Sequence, residues 1–236
     1  FVEIGSYLGQ SACFMAHLFQ GWPELEVKST FDVIDYWGPF GDYAWAPQYD
    51  LEIVQQHDSS FAKTWRFFME KTGSISAIRN VHHGSSEDMA IASSYKNGSI
   101  AFLYLDTTHN REHTIKELSI WWPKVRTGGM LCGDDFDESG VYEPVLSKFG
   151  HEAVERWGRA QFCVQKTPKT KPHNSWAYWW RVLPTHDPAD THLLESITPI
   201  CSAIPGFFRG QKVYYWAARK FRHDACLFVE IGSHLG

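Results

Sequence analysis

No apolar run in the 236-residue sequence approaches the roughly 18 residues needed to cross a bilayer. Residues 1–20 also lack the basic stretch and cleavage site of a secretory signal. These absences speak against a membrane partner and lead to the expectation of a cytoplasmic protein. Excess basic charge is missing too. With 22 Lys and Arg against 27 Asp and Glu, the formal net charge is -5, which sets nucleic acid aside as the main partner. Cysteine is sparse, with five residues spread along the chain and no C-x-x-C pair. Zinc and dithiol redox chemistry lose their usual signature, and the thiols read as buried and reduced. Aromatic residues, in contrast, are abundant at 16% with eleven Trp, which points to a heavily packed core or an aromatic-lined pocket.

The segment FVEIGSYLG at 1–9 returns as FVEIGSHLG at 228–236, the one difference being His234 in place of Tyr7. The offset is that of a whole domain rather than of a solenoid unit, so the sequence reads as a window from a tandem array of similar domains. On this reading residues 1–183 form one domain that lacks its N-terminal helices, and 184–191 form a linker. Residues 192–236 then supply the helices and first strand of an adjacent copy, which is an expected partner in the parent chain.

Between the two copies, apolar segments near 1–4, 30–35, 75–82, 100–106 and 129–133 alternate with helical stretches near 9–20, 51–71, 85–95, 110–124 and 138–149. The stretch 110–124 places Ile115, Leu118 and Trp122 on one face at helical spacing. This alternation predicts an α/β fold with a doubly wound, mostly parallel sheet covered by helices on both faces. After residue 150, QFCVQK and SWAYWWRV flank a polar stretch rich in Pro and Lys, which predicts an antiparallel strand pair at the end of the sheet.

Ligands of open α/β sheets bind beyond the carboxyl ends of the strands, so the polar residues ending each strand matter most. In EIGSYLGQS a strand runs into a turn with Gly5 and Gly9 and then a helix, an arrangement that admits close backbone approach and offers free N–H groups to an anion. An ordinary strand-to-helix turn has the same features. Asp35 ends the strand TFDVID, where a carboxylate can accept both hydroxyls of a ribose; a solvated strand-end Asp is the alternative. Asp106 and His109 follow the strand at 100–106, and Asp134 and Asp135 follow the next. Three carboxylates at adjacent strand ends repel one another unless a hard cation such as magnesium lies between them. His109 would then stand ready to deprotonate a hydroxyl held there. Singly, Asp134 and Asp135 also suit turn or cap positions. The aromatic segment Tyr36, Trp37, Phe40, Tyr43, Trp45 and Tyr49 suits either a pocket wall or a loop over the sheet edge. Trp121, Trp122, Trp179 and Trp180 read as core.

With those motifs in place, residues 1–182 resemble the class I S-adenosylmethionine-dependent methyltransferases. Within them, the chain is similar to the metal-dependent small-molecule O-methyltransferases of the catechol and macrolide-sugar type. IAFLYLDTTHNREHTIKELSIWWPKVRTGGMLCGDDF is the most specific stretch, and Glu3 to Ser11 match the pattern E-I-G-x-x-x-G-x-S. The resemblance implies that Glu3, Gly5, Ser6, Tyr7, Gly9, Ser11 and Asp35 bind S-adenosylmethionine, with the Gly84-Ser85-Ser86-Glu87 turn, Ser86 and Glu87 in particular, against the adenine. It implies that Asp106, Asp134 and Asp135 hold a divalent cation, with magnesium expected, and that His109, aided by Asp106, is the catalytic base. Thr107 and Thr108 stand where the family often carries Gly-Asp. The implied reaction is direct methyl transfer to a hydroxyl of a small molecule or sugar. Two alternatives remain at this point: an NAD-dependent oxidoreductase, which leaves the second acidic cluster unexplained, and a degenerate scaffold repeat.

Overall fold

Side chains alternate across the strand IAFLYLD, with Phe102 and Tyr104 entering one hydrophobic cluster and Leu103 and Leu105 a second. A strand buried on both faces needs this continuous apolar character, and it forms the middle of the sheet. The structure is a computed structural model that describes residues 2–4, 8–22, 29–37, 62–158, 160–168, 188–204, 211–223 and 227–232.

The elements in chain order are β1 (Val2–Ile4), α1 (Gln10–Gly21), β2 (Thr30–Asp35), α2 (Ala62–Thr72), β3 (Ile78–His83), α3 (Met89–Ser93) and β4 (Ile100–Asp106). They continue with α4 (Arg111–Trp121), β5 (Val125–Gly133), α5 (Ser139–Phe149), β6 (Val154–Trp157) and β7 (Gln161–Gln165). The last three are α6 (Thr191–Ser202), α7 (Gln211–Phe221) and β8 (Leu227–Gly232). β1, β2, β3, β4 and β8 pair in parallel. β5, β7 and β6 form an antiparallel ladder beside them. The two ladders meet where a Cβ on Gly129 would lie 2.8 Å from the Ala101 carbonyl and one on Gly133 2.6 Å from the Leu105 carbonyl. The doubly wound α/β architecture expected from the sequence is therefore present, as a mixed rather than strictly parallel sheet.

β1 and β8 carry the two copies of the repeat, and they share one register. Glu3 and Glu230 both pair with Tyr104, while Ile4 and Ile231 both pair with Leu105. The backbone groups of β4 bond one neighbour on that side, so the two strands are alternative occupants of a single slot. β8 pairs further along β4, from Ile100 to Asp106, whereas β1 alone continues toward α1.

α6 and α7 pack on α1 and on the face of β4 that carries Phe102 and Tyr104. Cys201 Sγ is 3.1 Å from Cys13 Sγ, and the Tyr214 ring centroid is 4.8 Å from that of Tyr104. The opposite face is covered by α3, α4 and α5 through Ala92, Leu118, Trp121 and Val145.

Three local expectations change. Cys132 and Cys163 are joined in a disulfide because the antiparallel register sets them directly opposite, so the reduced reading holds for Cys13 and Cys201, while Cys226 lies outside the described residues. β7 takes its antiparallel partners from β5 and from residues 154–157, and the expected partner at 175–182 lies outside the described residues. The buried face of α4 is Thr114, Glu117, Leu118 and Trp121, with Ile115 41% exposed. That rotation brings a carboxylate inward. No helix among the described residues is long and apolar enough to cross a membrane.

Candidate active site

Gly9 is the N-cap of α1 with φ +91°, a left-handed conformation that favours glycine. A Cβ there would lie 2.9 Å from both Phe68 and Thr72 of α2, so the helix entrance and α2 approach as closely as they do because residue 9 has no side chain. Ser11 lies half-buried in the first turn of α1. Glu3 takes its place in β1, and Gly5, Ser6 and Tyr7 lie outside the described residues.

Asp35, at the end of β2, is 4% exposed. Its Oδ1 accepts from the Trp37 N–H at 3.0 Å, and its carbonyl accepts from the Gly84 N–H at 2.9 Å. The second contact seats the 84–88 turn beside the β2 end. Trp37 packs against Trp65, Phe68 and His83, with centroids 4.5, 4.7 and 5.6 Å away, giving this end of the sheet an aromatic wall. Of the other residues in the aromatic segment, Tyr36 is exposed, and Phe40, Tyr43, Trp45 and Tyr49 lie outside the described residues. In the turn, the Ser85 hydroxyl accepts from the Glu87 N–H at 3.1 Å, and Asp88 caps α3. Ser86 is buried, and its carbonyl accepts from Trp121 Nε1 at 2.8 Å.

At the ends of β4 and β5, Asp106, His109 and Asp135 bring one ligand atom each within 4.8 Å of one another. His109 Nε2 and Asp135 Oδ2 are 2.6 Å apart. Both residues hold left-handed backbone, with φ +47° and +54°, a cost that recurs where side-chain placement at a functional site matters. Gly140, in the first turn of α5, leaves room for the His109 carbonyl, which any Cβ at that position would strike. Burial works against a charge on His109, yet the Asp135 carboxylate, with Glu138 and Asp134 behind it, holds its pKa above the usual imidazole value. Asp134 is turned differently: its Oδ1 accepts from the Asp135 N–H and from Gln161 Nε2, each at 2.9 Å. The converging donors are therefore two carboxylates and an imidazole, a mixed O/N set that suits a divalent cation.

The sequence reading missed His113 and Glu117. They have the H-x-x-x-E spacing that places two residues on one helix face, but a charged pair on a helix ordinarily signals solvent.

The strand order and the polar strand ends define a Rossmann-like α/β fold. A family model described as a methyltransferase domain matches residues 2–136, and the chain belongs to that family, the class I S-adenosylmethionine-dependent enzymes. The oxidoreductase alternative falls with this match. Among solved structures, the chain is similar to the O-methyltransferase NovP, at 21% identity over 71% of each chain with a TM-score of 0.50. It is also similar to CalS11, a TDP-rhamnose 3'-O-methyltransferase of calicheamicin biosynthesis, at 18% identity over 70% of this chain and 71% of the other with a TM-score of 0.46. No curated protein matches it in sequence.

Proposed function

We propose that this methyltransferase acts on a hydroxyl of a small molecule or sugar, with a divalent cation, magnesium by preference, at the Asp106–His109–Asp135 cluster. The observation that carries this reading is the convergence of those three side chains within 4.8 Å at adjacent strand ends. The described members of the cofactor site support the same reading. Asp35 at the end of β2 would accept the ribose hydroxyls, Ser86 and Glu87 of the turn bonded to it would lie against the adenine, and the N-terminus of α1 at Gly9 would offer N–H groups.

Asp106 and Asp135 would hold the cation, with His109 beside them and Asp134 acting through its bonds to Gln161 and to the backbone of Asp135. When bound, the cation lowers the pKa of a coordinated hydroxyl. In its neutral form His109 would accept the hydroxyl proton, and Asp135 would stabilise the resulting imidazolium. The strand ends would hold donor and acceptor for in-line displacement, with no covalent enzyme intermediate. Assays with S-adenosylmethionine, a panel of hydroxylated sugars and phenols, and Mg²⁺ or EDTA test the proposal. Methyl transfer to oxygen that chelation suppresses supports it, and activity indifferent to chelation defeats the metal-assisted step.

A further inference from the structure

A polar chain lies behind the 84–88 turn and takes no part in the chemistry above. His113 on α4 stands between two carboxylates, its Nδ1 2.6 Å from Glu87 Oε1 and its Nε2 3.0 Å from Glu117 Oε1. Glu117 is 0% exposed, and its other oxygen accepts from Thr107 Oγ1 at 2.7 Å. Ser86 Oγ lies 3.2 Å from His113 Nε2, and Lys116 Nζ is 3.4 Å from Glu87 Oε2. Together with the bond from Trp121 to the Ser86 carbonyl, one face of α4 grips the turn at several points. The same face reaches Thr107, the residue after Asp106.

A carboxylate taken wholly out of water costs free energy that its partners must offset, and an apolar residue of similar size often does as well for stability. Leu118 and Trp121 already supply apolar contacts on this face. What the charged chain adds is direction: Glu117 takes a hydrogen bond from the β4 end, and His113 sets the orientation of Glu87 in the turn.

We propose that His113, braced by Glu117, is a positioning residue that fixes the Ser86–Glu87 turn for the cofactor's adenine and ties it to the Asp106 strand end. This rests on the cofactor reading given above. Removing His113 alone would strand Glu117 and risk unfolding, so the test uses the full chain carrying His113→Leu with Glu117→Leu, which removes both members of the buried pair. Two readouts are taken: S-adenosylhomocysteine affinity by calorimetry, and amide hydrogen exchange of residues 84–88 in the ligand-free protein. The expected result is a folded variant with affinity weakened on the order of tenfold, faster exchange at 84–88, and a KM for S-adenosylmethionine that rises far more than kcat falls. Unchanged exchange at 84–88 in a folded variant overturns the positioning role. Wild-type protein that binds no S-adenosylhomocysteine overturns the cofactor reading instead, and the exchange measurement still decides whether the turn is held by this pair.

Discussion

His109 Nε2 and Asp135 Oδ2 meet at 2.6 Å from the ends of neighbouring strands, each residue on a left-handed backbone. Asn is among the few residues that tolerate that backbone region well, so Asn substitutions separate chemistry from strain. His109→Asn and Asp135→Asn should each stay folded and lose turnover by on the order of 100-fold, while S-adenosylhomocysteine affinity stays close to wild type. Asp135→Asn should also weaken Mg²⁺ binding more than Asp134→Asn, because Asp134 is turned toward Gln161. Calorimetric titration with Mg²⁺ decides this, and equal losses at 134 and 135 would show that both act as ligands.

The shared register of β1 and β8 separates into two proline variants. Proline removes an N–H and does not fit the interior of a central parallel strand, so Ile4→Pro blocks the first copy of the repeat and Ile231→Pro, at the same register opposite Leu105, the second. β1 is the copy that continues toward Gly9 and α1, so Ile4→Pro should weaken S-adenosylhomocysteine binding by about tenfold or more and Ile231→Pro should not. The opposite pattern would assign the slot to β8.

Much of the architecture is legible in the sequence because each central strand is a continuous apolar run that stops at a polar residue. IAFLYLD ending at Asp106 and TFDVID ending at Asp35 show both the element and the place where chemistry gathers. Pairings set by three-dimensional register are not legible in this way. Cys132 and Cys163 are 31 residues apart and become neighbours through the antiparallel ladder alone. Hydrophobic periodicity treats charge as solvent-facing, so it turns Ile115 inward on α4 and passes over Glu117, whereas the bond from Thr107 and the ion pair with His113 make burial of Glu117 tolerable. Backbone handedness at His109 and Asp135 has no sequence signal, since both side chains also suit ordinary turns.

Two glycines distinguish contact from conformation. Gly140 has no room for a Cβ against the His109 carbonyl, whereas Gly98 has φ +70° and open space around it. Gly140→Ala should cost about 1–3 kcal/mol by urea denaturation and lower turnover by displacing His109. Gly98→Ala should cost about 1 kcal/mol from backbone strain and leave turnover unchanged. Equal activity in the two variants would mean that the Gly140 contact does not position His109.

The His113 network also gives a pH dependence whose sign is fixed. Burial opposes the charge on His113, but Glu117 and Glu87 outweigh it and hold its pKa above the usual imidazole value. A group whose folded pKa is raised contributes stability that is full below its unfolded value of about 6.5 and is lost as pH rises through the folded value. Wild-type stability relative to the His113→Leu, Glu117→Leu variant should therefore be greatest on the acid side of pH 6.5 and decline on the alkaline side. Chemical denaturation of both proteins at matched ionic strength from pH 6 to pH 9 measures the difference directly. A difference that stays constant with pH would mean that folding does not raise the His113 pKa, and one that grows with pH would mean that folding lowers it; in either case the ion pair with Glu117 does not contribute to folding.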